Sequence, residues 1–155
     1  MFDRNKSVEY AKKWALGFNP NYYNFSKLGG DCTNYVSQCL HAGGIPMRYS
    51  LYGWFYTNLN KRAPAWTGVI EFWDFAINNQ GVGVKIKSCS LEEVEIADII
   101  QLYNGERYYH MLIVTDISNG IKVCSHDYPS LDVPLRRYNY YSLRCGKILN
   151  KYPPA

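Results

Sequence analysis

No stretch of the chain approaches the ~18 consecutive apolar residues that a membrane-spanning helix needs, so no span is predicted. The opening residues, Met1-Phe2-Asp3-Arg4-Asn5-Lys6, are too polar for a signal peptide. A soluble chain is expected, with any export signal lying upstream of Met1. Runs of one charge are also missing. The net charge is +4, and its basic residues (Arg4, Lys6, Lys12, Lys13, Lys61, Arg62, Lys85, Lys87, Arg136, Arg137) are scattered, which argues against nucleic acid as a partner. The five cysteines are odd in number and form no CxxC pair, so neither a disulfide framework nor a thioredoxin or zinc-ribbon motif is expected. Cys39 and Cys124 read as core residues. Cys32, His110, Cys124 and His126 have the right chemistry for zinc, but they are spaced more widely than the ligands of closed sites; no metal or cofactor is expected.

What remains is an ordinary core-forming composition, 47% hydrophobic and 19% charged over 155 residues, which fits one domain. Its most informative stretch is Gly29-Gly30-Asp31-Cys32-Thr33-Asn34-Tyr35-Val36-Ser37-Gln38. Tyr35, Val36, Cys39 and Leu40 fall on one face at helical spacing, and Gly43-Gly44 with Pro46 stops the pattern. Cys32 therefore opens a buried helix with Asp31 as its N-cap. The positive end of that helix favours a thiolate and lowers the cysteine pKa from about 8.5. The Cys32 N–H is placed to serve as one oxyanion donor.

A second segment supplies a base. Residues 98–103 read as a strand, Asn104-Gly105 as a turn, and His110-Met111-Leu112-Ile113-Val114-Thr115 as a strand that begins with histidine. A helix-start cysteine with a downstream histidine is the pairing of thiol hydrolases. Ser118-Asn119-Gly120 then turns the chain into a strand over 121–125. His126 lies sixteen residues past His110, an even separation that puts both on one strand face. His126 is thus the candidate third catalytic residue, orienting the His110 imidazole, with Asp116 as its rival.

The Gly-Gly-Asp-Cys-Thr-Asn-Tyr-Val-Ser-Gln-Cys-Leu run, with Ala42-Gly43-Gly44 and the preceding Tyr10-Ala11 and Trp14-Ala15, resembles the bacterial putative amidase domain family. That family is similar in turn to NlpC-type cell-wall peptidases of the papain-like superfamily. There an Asp-Cys pair opens the nucleophile helix, a Gly-Asp pair begins a strand, and a histidine opens the next. Asp31-Cys32 and His110 match, while Ala97-Asp98 keeps only the aspartate. The resemblance spans about residues 5–133. It implies an amide hydrolase acting on peptidoglycan or related peptides. It also implies a secreted or cell-wall location if this chain is part of a longer exported protein, and a cytoplasmic one otherwise.

The expected fold is α+β, with helices packed on one side of a small antiparallel sheet. Helices are predicted over 5–18 and 69–79, a brief strand over 84–88, and a last strand or two over 136–152 with Leu143, Cys145 and Ile148 inward. Residues 46–65 lack periodicity but are rich in aromatics. Trp54 and Trp66 are candidate walls of a substrate cleft, and Tyr22 and Tyr23 are oxyanion candidates beside Asp31. A monomer is expected. The competing possibilities are a binding module that uses the aromatic cleft without turnover, and a thiol transferase or transpeptidase built on the same Cys/His pair.

Overall fold

The computed structural model describes residues 2–151. Helix α1 (Arg4–Trp14) and helix α2 (Cys32–Ala42) are followed by a two-stranded ribbon, β1 (Tyr56–Asn58) and β2 (Lys61–Arg62). Helices α3 (Pro64–Thr67) and α4 (Val69–Asn78) come next, then strands β3 (Ile86–Cys89), β4 (Ile99–Tyr103), β5 (Tyr108–Asp116), β6 (Lys122–Ser125), β7 (Ser130–Pro134) and β8 (Ser142–Ile148). The six strands form one antiparallel sheet in the order β3-β8-β4-β5-β6-β7. The architecture is α+β, as the patterning predicts.

Alternation along the strands divides the core in two. Ile99, Met111, Ile113 and Cys124 face the helices and pack with Val8, Ala11, Tyr35, Val36 and Leu40. Ile100, Leu102, Leu112 and Val114 face the other way, against Val94, Val123 and Leu135. Both faces are therefore apolar, which explains the nearly unbroken hydrophobic run of β5. Among the described residues no helix is long and apolar enough to cross a membrane.

Several element boundaries differ from expectation. The first helix ends at Trp14 rather than Phe18, because Gly17 and Asn19-Pro20 terminate it early. Strand β5 starts at Tyr108, so His110 is its third residue, paired with Leu102. Strand β7 and the β1–β2 ribbon carry no alternation and were not expected. Of the predicted final segment, 136–152, the part 142–148 forms β8, and Tyr152 lies outside the described residues.

Ala97 has a φ of +70°, a region glycine enters without penalty. The next residue, Asp98, is fully buried and is a structural tie. Its Oδ1 accepts from Arg4 Nη1 at 2.7 Å and from the Ile148 N–H at 2.9 Å, and its Oδ2 accepts from the Glu95 N–H at 2.8 Å. The carboxylate thereby pins the start of α1 to the end of β8.

Candidate active site

Cys32 is the first residue of α2 and is only 5% exposed. His110, 2% exposed, lies across from it on β5, and a third group joins them from the β6–β7 turn, Asp127. One ligating atom each from Cys32, His110 and Asp127 all lie within 4.8 Å of one another. Cysteine, imidazole and carboxylate are donors that suit a divalent ion. Both Asp127 oxygens, however, already accept backbone hydrogen bonds: Asp31 N–H reaches both at 2.8 Å, and Cys32 N–H reaches Oδ2 at 3.0 Å.

The environment sets the protonation of the pair. Burial pushes the Cys32 thiol up to about 11, and the negative Asp127 beside it adds to the rise. The N–H of Met111 and the neighbouring Thr33 act in the opposite direction without overcoming burial. The expected lowering by the helix end is thus reversed, chiefly by burial and then by the carboxylate that occupies the helix terminus. Burial also brings His110 down to about 4, and its Nε2 has no hydrogen-bond partner among the described residues. Its ring lies edge-on to Tyr128 at 5.4 Å and tilted against Tyr138 at 5.8 Å. At neutral pH the site therefore rests as a thiol beside a neutral imidazole.

The family described as "Putative amidase domain" matches residues 1–148. The chain belongs to the putative amidase domain family. Two curated relatives come from Bacillus subtilis (strain 168), and both are described as uncharacterized. Protein YhbB is 35% identical over 125 residues, covering 77% of this chain and 39% of that protein. Protein YjcM is 30% identical over 138 residues, covering 83% of this chain and 31% of that protein. The chain thus spans well under half the length of either relative. No solved structure matches it.

Asn34, Ser37 and Gln38, in the block that carries the family resemblance, each have a side-chain hydrogen-bond partner. Asn34 donates to Asp31 Oδ1 at 2.9 Å and accepts from Trp66 Nε1 at 2.9 Å. Ser37 accepts from Trp54 Nε1 at 3.1 Å and donates to the Trp66 carbonyl at 3.0 Å, and Gln38 accepts from the Tyr10 hydroxyl at 2.6 Å. Trp54 and Trp66 are therefore not cleft walls. Both are fully buried, 4.7 Å apart, and they form the floor beneath α2 because their indole N–H groups find partners there.

Three other expected roles also change. Asp31 occupies the N-cap position, but its side chain makes no capping bond. Oδ1 accepts from the Phe25 N–H at 2.8 Å, and Oδ2 meets His126 Nδ1 at 2.5 Å. His126 does not orient His110. Its Nδ1 is taken by Asp31 and its Nε2 by the Trp14 carbonyl at 2.7 Å, and it stacks on Tyr35 at 4.0 Å. The even-spacing argument fails because the β6 register is irregular after Val123 and the strand ends at Ser125. Tyr22 stacks on Trp66 at 6.2 Å, and the Tyr23 N–H donates to the Tyr56 hydroxyl; neither residue hydrogen-bonds the Cys32–His110 pair. Asp116 is half-buried at the far end of β5, accepting from Ser118.

Sequence reasoning missed Asp127. The available signal was an acidic residue directly after His126, ahead of Tyr128-Pro129, in a turn beyond a predicted strand. It also missed the cleft itself. A space of about 430 Å³ lined by Phe18, Gly30, Tyr109, His110, Asp127 and Tyr128 opens beside the imidazole. A neighbouring groove of about 570 Å³ continues from it through Tyr109 and Tyr128 to Tyr138 and Arg137.

Proposed function

We propose that this domain, residues 1–155, is a cysteine-dependent hydrolase of amide bonds, with peptidoglycan or related peptides as its substrate class, and a papain-like relative of NlpC-type peptidases. The observation that carries this reading is the convergence of a buried helix-start thiol and a buried strand imidazole within 4.8 Å, with the imidazole lining an open cleft. Family membership supports it. So does the placement of Cys32 at a helix N-terminus against an antiparallel sheet, the arrangement that the resemblance implies.

The site's protonation suits general-base activation. A substrate carbonyl enters beside Cys32, and neutral His110 takes the thiol proton as sulfur attacks. His110 then returns that proton to the leaving nitrogen, and water, activated by the same imidazole, releases the acyl group. No hydrogen-bonded third residue aligns His110 among the described residues, so the chemistry rests on a dyad. His126 instead acts as a positioning residue, locking Asp31 and so the turn that presents Cys32. The tyrosine-lined groove takes over the role expected of Trp54 and Trp66, with Arg137 offering a cation to an acidic group of the substrate.

The test is digestion of purified peptidoglycan with identification of the fragments. New amino or carboxyl termini released by the wild type and absent with Cys32→Ala are expected. Equal release by both proteins would remove Cys32 as the nucleophile, and binding without any release would favour a non-catalytic module.

A further inference from the structure

The Asp127 carboxylate sits on the two N–H groups where a developing oxyanion would have to be held. Its Oδ2 lies 3.0 Å from the Cys32 nitrogen and 2.8 Å from that of Asp31, the donor distances such a site requires. A planar carboxylate is also a close mimic of the carboxyl group that an acyl transfer produces. The surroundings are shaped for this occupant. Gly30 has φ +99°, and a Cβ there would meet Asp127 Oδ2 at 2.9 Å. Asp127 itself adopts φ +74°, an uncommon value for a residue with a side chain. Meanwhile the buried His110 Nε2 has no hydrogen-bond partner among the described residues.

We propose that the N–H groups of Asp31 and Cys32 form the oxyanion site of the reaction and that Asp127 is a self-ligand, closing that site until substrate displaces it. This rests on the hydrolase reading for its chemistry, but not for its test. Asp127 is exposed, so its side chain is free to turn into solvent when a carbonyl oxygen takes its place. In the closed state its charge also holds the nucleophile in the thiol form, which protects a reactive sulfur from adventitious modification. Opening therefore couples two events: the donors become available, and the thiol becomes easier to ionise.

The experiment measures alkylation of Cys32 by iodoacetamide at neutral pH, mapped by mass spectrometry, in the wild type, Asp127→Ala and Asp127→Asn. Thermal unfolding is recorded for each protein. Asp127→Ala is expected to alkylate on the order of tenfold faster, as one pKa unit of relief would give. Asp127→Asn, whose amide oxygen still accepts one N–H, should change in the same direction by less and keeps the fold testable if the alanine variant is unstable. Sodium acetate at constant ionic strength should slow alkylation in Asp127→Ala and leave the wild type unaffected. Unchanged or slower alkylation in a folded variant overturns the self-ligand. Faster alkylation without acetate protection overturns the oxyanion site. Because no turnover is scored, either result stands apart from whether Cys32 is needed to cleave peptidoglycan.

Discussion

His126 Nδ1 lies 2.5 Å from Asp31 Oδ2, with both residues almost completely buried and the other imidazole nitrogen on the Trp14 carbonyl at 2.7 Å. A carbonyl can only accept, so Nε2 carries a hydrogen, and Nδ1 is hydrogen-bonded to the Asp31 carboxyl group. The imidazole thereby clamps the C-terminal end of α1 to the residue preceding the nucleophile.

His126→Ala should destabilise the fold by about 3–5 kcal/mol, because it leaves a buried carboxylate without its partner. Adding Asp31→Asn to His126→Ala should recover part of that loss. Urea unfolding of the four proteins in a double-mutant cycle measures the coupling; additive losses would mean that the two residues are independent. A catalytic orienting role would instead leave stability intact and lower turnover.

Removal of the dyad should be strongly non-additive. Cys32→Ala, His110→Ala and the double variant should fall to one common floor, each losing on the order of 10³-fold or more in kcat/KM. Steady-state rates on peptidoglycan fragments test this. Two partial losses that multiply would argue against a shared proton transfer.

His110 makes stability depend on pH in a defined direction. Its folded pKa of about 4 lies below the ordinary 6.5, so between these values the unfolded chain binds a proton that the folded chain does not. Stability should be fully present above pH 6.5 and fall as pH drops toward 4, by roughly 3 kcal/mol from this residue alone. The difference between wild type and His110→Gln in chemical denaturation across that range isolates the contribution; parallel curves would refute it. For Cys32, raised to about 11, the alkylation rate of the wild type should keep climbing through the alkaline range without a plateau near neutrality.

Trp54→Ala and Trp66→Ala should each cost about 3–5 kcal/mol, as expected for large side chains removed from a closed core. Arg137→Ala, exposed at the groove, should leave the melting temperature unchanged and raise KM several-fold for substrates bearing a carboxylate, read against a neutral analogue. An unaltered KM would move substrate binding elsewhere.

Local pattern was enough to find α2, its opening cysteine and the β5–β6 hairpin, because helical spacing and an Asn-Gly turn are written in adjacent residues. Trp54, Trp66 and His126 were misjudged for a common reason. Each is defined by a partner far along the chain, such as Ser37 for Trp54 and Asp31 for His126, and no periodicity encodes that pairing. Asp127 was invisible for a different reason: its role follows from a left-handed turn that brings a carboxylate back over ninety-five residues to the Cys32 N–H. The φ of +70° at Ala97, just before the buried Asp98, likewise has no signature in the residue types.

The last strand, β8, is inserted between β3 and β4, with Cys145 opposite both Cys89 and Ile100. During synthesis, then, the chain must carry β4 with one unsatisfied edge until residues 142–148 leave the ribosome. A nascent or C-terminally clipped chain ending before Ser142 would expose that edge and the apolar side chains beside it, a template for pairing with another copy. Folding is therefore expected to complete only after the whole sheet is synthesised, when Arg4 Nη2 can donate to the Ile148 carbonyl at 2.9 Å.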